Sequence, residues 1–259
     1  MHPGFGPTLE AETLYIRQLK VRERMQQQAD EFVVWDVGLG AGANPLTLLR
    51  QTRDLSCPLR ILSFDNTSGP FEFALGHADQ LPYFHDYQNT VRDLLKQKRI
   101  EFSDGRRGVT WEFQLGDFPK WCAPGSTRRS TSAPDAVFFD AFSPAKNPSM
   151  WTLPLFENLF KLLNPARPCS LTTYSRSTMF RVTLLLAGFF AGRGIPTGLK
   201  EETTVAANTF SLLDDPLDRA WLERVQRSDS AEPLIEATYR RGPLSAENWA
   251  RLQAHPQFA

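Results

Sequence analysis

Short apolar runs alternate with longer amphipathic stretches along this chain, and that alternation alone predicts an architecture. Residues 9–30 are polar with spaced apolar positions and predict an N-terminal helical segment. The run Phe32-Val33-Val34-Trp35 is short, partly β-branched and followed closely by glycines, which predicts a buried strand. A helix through Leu46, Leu48 and Leu49 follows, with Asn44 as its cap and Pro45 in its first turn. Arg60–Phe64 reads as a second strand ending at Asp65, and the spacing of Tyr87, Val91, Leu94 and Leu95 as a helix. Val109–Leu115 alternates as a third strand and stops at Gly116-Asp117. A stretch rich in Gly, Ser, Thr and Pro, Ala123–Pro134, predicts a flexible surface loop. Asp135–Phe139 is the fourth strand, ending at Asp140. Helices over Leu155–Leu163 and Met179–Ala187 flank a fifth strand, Ser170–Tyr174, and Phe189-Phe190 pairs as a hairpin with Thr203–Leu212.

Strands that alternate with helices in this way demand a mainly parallel sheet covered on both faces. The expected fold is α/β: a doubly wound, mostly parallel, seven-stranded sheet over residues 31–213. A helical segment, residues 1–30, precedes it, and a charged extension, residues 214–259, follows with helical patches near Trp221 and Trp249.

Composition narrows the function classes. At 259 residues and 41% hydrophobic, the chain can bury a sizeable core. Its 29 Lys and Arg balance 29 Asp and Glu, so no global positive field points to a nucleic-acid partner. What remains are local basic clusters: Arg17, Lys20, Arg22 and Arg24; Lys96, Lys98 and Arg99; Arg106 and Arg107; Arg128 and Arg129. Three scattered cysteines, Cys57, Cys122 and Cys169, lack metal-ligand spacing and predict a reducing compartment and no metal site. With no apolar run of membrane-spanning length and no leader pattern, the expectation is a soluble cytoplasmic protein without a membrane partner.

The chemistry concentrates at strand ends. In Asp36-Val37-Gly38-Leu39-Gly40-Ala41-Gly42, Gly38, Gly40 and Gly42 lie between a strand and a helix, where glycine lets the backbone approach a ligand. The same letters satisfy a dinucleotide pattern, so the turn by itself fits either S-adenosylmethionine or a nicotinamide or flavin cofactor. Asp65 is placed to accept from a ribose diol, Asp117 from an adenine amino group, and Asp36 to orient the turn or meet a cationic amino-acid end. A dinucleotide site explains Asp65 equally well but gives no particular reason for Asp117 and Asp140. Asp140 opens the run Asp140-Ala-Phe-Ser-Pro-Ala-Lys-Asn-Pro-Ser-Met-Trp151, a loop stiffened by two prolines. A carboxylate there can accept the proton of an amine nucleophile or aim its lone pair, and Phe142 and Trp151 offer stacking surfaces.

That run, continued by Thr152 and Leu155-Phe156, resembles the signature of the MnmC-type tRNA methyltransferase domain. Further matches are Trp35–Asn44, Gly116-Asp117, Thr173-Tyr174-Ser175, Ala187-Gly188-Phe189 and Gly198-Leu199-Lys200-Glu201. The resemblance implies a class I, Rossmann-like methyltransferase that uses S-adenosylmethionine to convert 5-aminomethyl-2-thiouridine of tRNA to 5-methylaminomethyl-2-thiouridine. It implies that Asp140 handles the amine and that Phe142, Lys146, Asn147, Trp151 and Lys200 shape the substrate pocket. The chain would be a stand-alone form without the flavin-dependent oxidase, with a separate oxidase or upstream wobble-modification enzyme as partner. Two departures from the pattern are Asp65, where Glu is usual, and Pro165–Cys169, where a proline-glycine turn is usual.

Two other readings compete. A relative of the polyamine aminopropyltransferases would act on a free small amine with a similar Asp at this strand tip. A degenerate binding module would hold cofactor or RNA without turnover.

Overall fold

Strand β1 (Phe32–Val37) is buried at every position, as expected of a strand covered on both faces. The computed structural model describes residues 6–126, 132–197 and 201–259. Lys200 and the pair Arg128 and Arg129 lie outside them. The chain divides into two units, each assembled from separate stretches: Met1–Phe118, Pro134–Asp140 and Thr197–Glu201 form one, and Pro119–Ala133, Ala141–Pro196 and Glu202–Ala259 the other.

In the first unit, β1 pairs in parallel with β2 (Leu59–Asp65) on one side. Two further strands follow, β3 (Arg99–Asp104) and β4 (Arg107–Leu115). On its other side β1 pairs in parallel with β5 (Ala136–Phe139). The order within the unit is β3-β4-β2-β1-β5, and β2 and β4 are also parallel. Strand β3 alone runs antiparallel, paired to β4 across a turn at Gly105. It is the extra strand that makes the described total eight rather than the expected seven. The alternation Arg-Ile-Glu-Phe-Ser-Asp followed by Asp104-Gly105 is its sequence signal.

The expected helix over residues 9–30 is broken. It comprises α1 (Pro7–Ala11), a π-helical turn at Glu12–Arg17, and α2 (Val21–Gln27), entered through Lys20 at a φ of 50°. Leu14, Tyr15 and Ile16 are consecutive and all buried. The wider π turn, marked by the Gln18 N–H donating to the Thr13 carbonyl at 3.3 Å, accommodates these adjacent apolar neighbours. Helices α3 (Ala43–Thr52), α4 (Gly69–Gly76) and α5 (Gln88–Gln97) complete the unit, with α5 packed on β3 and β4. A short helix, α6 (Phe118–Cys122), follows β4.

The second unit contains α7 (Leu153–Leu162), β6 (Ser170–Thr173), α8 (Thr178–Leu186), β7 (Phe190–Gly194) and β8 (Thr203–Ala207). Strand β8 lies between β6 and β7, antiparallel to both. That insertion departs from the six parallel strands of a dinucleotide fold. Thr152 and Ser177 cap α7 and α8 with their hydroxyls. Although charged in sequence, the C-terminal stretch contributes to the core. Helices α9 (Arg219–Gln226) and α10 (Ala246–Gln253) bring Trp221, Val225 and Leu252, with Phe258, against Val182, Leu185 and Ala191. The Gln257 amide bonds both the N–H and the carbonyl of Ala191 on β7, and the Leu217 carbonyl. Among the described residues, no helix is long and apolar enough to cross a membrane.

Candidate functional site

The carboxyl ends of the parallel strands in the first unit are stitched to one another by backbone hydrogen bonds. The N–H groups of Gly38 and Leu39 donate to the Phe64 carbonyl at 2.9 and 3.1 Å, Gly116 donates to that of Asp65 at 2.8 Å, and Asp140 to that of Val37 at 2.8 Å. Asp65 and Asp140 are thereby tied into one edge, with Asp117 directly after Gly116, as in open α/β sheets that bind ligands there.

The glycine turn follows β1, with Gly38, Gly40 and Gly42 at φ of 94°, 52° and 78°, values that suit glycine. At Gly42 a Cβ would also lie 2.3 Å from the Phe71 ring, so the position is closed by packing. Gly40 differs. A Cβ there would meet only the Gly38 carbonyl oxygen, at 3.9 Å, which leaves room for a ligand to approach the backbone. Asp65 braces this turn: its Oδ2 accepts from the Gly40 N–H at 2.9 Å and its Oδ1 from the Thr67 N–H at 3.2 Å. Asp117 is exposed after Gly116.

Asp36 is fully buried within β1. Its Oδ2 accepts from the Ser63 hydroxyl at 2.8 Å, and Ser63 in turn accepts from the Trp111 indole N–H at 3.0 Å. Its Oδ1 has no hydrogen-bond partner among the described residues. Burial pushes the carboxyl up to about 7; the Ser63 bond opposes the rise, and the charges of Asp140 and Asp65 add to it. An orphaned buried oxygen fits a cationic ligand group, and the open backbone at Gly40 fits a ligand in close contact. The turn therefore suits an adenosylmethionine.

Asp140 ends β5 and is exposed. Its Oδ2 accepts from the Asn44 side-chain amide at 3.0 Å, a contact between residues 96 apart. Sequence reasoning gave Asn44 the role of helix cap. Instead Gly42 is the N-cap of α3, and no side-chain cap bond is made there.

The loop that follows Asp140 in sequence belongs to the second unit and is fastened at several points. The Ala141 carbonyl accepts from the Tyr174 hydroxyl at 2.8 Å, and the Phe142 carbonyl from the Trp151 indole N–H at 2.7 Å. Ser143 accepts from the N–H groups of Lys146 and Asn147, and the Asn147 side chain accepts from the Ser149 hydroxyl at 2.8 Å. Phe142 is 73% exposed and Lys146 is exposed. Trp151, expected as a stacking surface, is wholly buried and meets Phe180 edge-on at 4.8 Å. Its ring anchors the loop rather than presenting a face. Tyr174, read in the sequence as the end of a strand, is a second anchor.

Several members of the basic clusters are engaged in the fold. Arg22 pairs with Asp54 at 2.8 Å and Arg99 with Glu101 at 2.7 Å. Arg24 lies over Phe32, Lys98 over Phe113, and Arg107 is buried beside Asp104. Among the described residues no group of His, Cys, Asp and Glu is arranged to hold a metal.

Residues 84–209 match the model of a family described as S-adenosyl-L-methionine-dependent methyltransferase. The chain is 27% identical over 257 residues to the tRNA 5-methylaminomethyl-2-thiouridine biosynthesis bifunctional protein MnmC of Pseudomonas savastanoi, covering 93% of this chain and 35% of that protein. It is 29% identical over 233 residues to the MnmC of Stutzerimonas stutzeri, covering 85% and 33% respectively. It thus spans about a third of the length of these relatives. The crystal structure of MNMC2 from Aquifex aeolicus superposes with a TM-score of 0.66 at 22% identity, over 97% of this chain and 76% of that one. The fold is that of the class I methyltransferases.

Proposed function

We propose that this chain, an S-adenosylmethionine-dependent methyltransferase, methylates the aminomethyl nitrogen of the modified wobble uridine of tRNA. The product is 5-methylaminomethyl-2-thiouridine, formed from 5-aminomethyl-2-thiouridine. The observation that carries this reading is the exposed Asp140 carboxylate at the tip of β5, on the same strand edge as the glycine turn and held by Asn44. The likeness to the MnmC proteins, whose name specifies that nucleoside, supports the choice of acceptor.

When bound, adenosylmethionine would supply an activated methyl group, its sulfonium sulfur leaving with the C–S electron pair as the amine lone pair takes the methyl. The residues of this chain do the rest. The glycine turn at Gly38, Gly40 and Gly42 would give the backbone its close approach, Asp65 would take the ribose hydroxyls, and Asp117 would accept from the adenine amino group. Asp36 meets the cationic amino-acid end with its unpartnered oxygen. An alkyl ammonium titrates near pH 10, roughly as lysine does, so the acceptor must lose a proton before it can attack. Asp140 accepts that proton and orients the lone pair. Phe142, exposed on the loop that follows Asp140 in sequence, is proposed to stack on the uridine, and Lys146, Asn147 and Lys200 to contact the nucleotide. Trp151 holds the Phe142 carbonyl in place. An oxidase activity, or an upstream wobble-modification enzyme, would provide the aminomethyl group.

The test is mass spectrometry of nucleosides from aminomethyl-thiouridine tRNA incubated with the protein and methyl-labelled cofactor. Label is expected in the methylaminomethyl nucleoside. Absence of label from the RNA, with transfer to a free amine instead, would overturn the tRNA assignment. Asp140→Asn is expected to lower kcat by about 10²-fold or more while cofactor Kd stays near the wild-type value.

A further inference from the structure

We infer that Asn44 is a positioning residue that fixes the Asp140 carboxylate from the cofactor turn, so that the turn and the proton acceptor form one mechanical piece. The inference rests on the role proposed for Asp140. Asn44 is the second residue of α3, directly after the glycine turn, and it is buried. Asparagine is a poor helix residue except as a cap, and this one does not cap. Its amide instead crosses from the first turn of α3 to the end of β5 and donates to Asp140 Oδ2 at 3.0 Å. A carboxylate can only accept, so the amide must present its NH₂ edge to an ionised Asp140.

Asp140 is held at a second point, where its own N–H donates to the Val37 carbonyl at 2.8 Å. Backbone and side chain are therefore both anchored to the β1–α3 connection, the segment that carries Gly38, Gly40 and Gly42. Asp65 and Asp140 both act electrostatically on Asp36. Among these carboxylates Asn44 supplies a neutral donor. A hydrogen bond to the ionised form favours ionisation, so Asn44 keeps Asp140 able to take a proton and limits the directions in which it can do so.

The experiment follows Asp140 itself. Protein carrying ¹³C-labelled aspartate is titrated by NMR as wild type, Asn44→Ala and Asn44→Asp, with Asp140→Asn identifying the resonance. Cofactor affinity and the pH profile of kcat are measured on the same proteins. Asn44→Ala is expected to raise the Asp140 midpoint by about one pH unit. In that variant kcat should fall roughly tenfold, with its acid limb moved up and cofactor Kd changed by less than about twofold. Asn44→Asp, nearly isosteric and acceptable in a first helical turn, should raise the midpoint further because a like charge replaces the donor. An Asp140 midpoint that does not move in either variant overturns the inference. Wild-type protein that leaves the tRNA unmethylated overturns the proposed acceptor, and the NMR titration still decides the role of Asn44.

Discussion

Asp36 concentrates the electrostatics of the site in one residue, and its behaviour with pH can be worked out. Its folded-state pKa, about 7, lies above the usual 3.8, so the folded protein holds this proton more tightly than the unfolded chain. Stability from Asp36 is therefore complete below about pH 4 and is lost as pH rises toward 7. Asp36→Asn should flatten that slope and leave the protein more stable at pH 8, by on the order of a few kcal/mol, measured by urea unfolding at several pH values. Binding a cationic group beside Asp36 favours its ionised form, so the Kd for adenosylmethionine should tighten between pH 6 and 8 more in wild type than in Asp36→Asn. Asp65, Asp117 and Asp140 were legible as strand-end acids because each follows an apolar run. The bond between Asn44 and Asp140 was not, since its partners are 96 residues apart. Trp151 was misjudged for a related reason: an aromatic in a loop reads as a contact surface until Phe180 is seen against it.

At the level of elements, the glycine turn and the 141–152 loop are both held by specific contacts that can be cut one at a time. Gly42→Ala would drive a methyl group into the Phe71 ring, 2.3 Å away, at a φ of 78°. It should cost about 2–4 kcal/mol in urea unfolding, with part recovered when Phe71 is shortened to Leu. Trp151→Phe keeps an aromatic against Phe180 but removes the donor to the Phe142 carbonyl. A loss of about 1 kcal/mol is expected, with KM for RNA rising while cofactor Kd is unchanged. The parallel strands were readable because two covered faces require nearly continuous apolar runs, as in Phe32–Val37. Strand β3 leaves little trace in the sequence because its alternation is short and half polar, and the break in the N-terminal helix leaves none because the π turn follows from burial of Leu14–Ile16, not from local propensity.

The whole molecule draws on residues that read, from charge alone, as an appendage. Leu217, Trp221, Val225, Leu252 and Phe258 share a core with Val182, Leu185 and Ala191. Gln257 and the Gly192–Pro216 bridge occupy backbone groups of β7, a covering that protects a sheet edge from pairing with another chain. Removing residues 246–259 should therefore expose β7 and give aggregation on heating, detected by light scattering, whereas Gln257→Ala alone should cost about 2 kcal/mol. The interleaving of the two units also bears on how the protein is made. Strand β1 ends at Val37, while its partner β5 begins at Ala136. At roughly 5–20 residues per second, the ribosome leaves one flank of this fully buried strand waiting on the order of ten seconds. During synthesis, that unfinished edge is what a chaperone would need to shield.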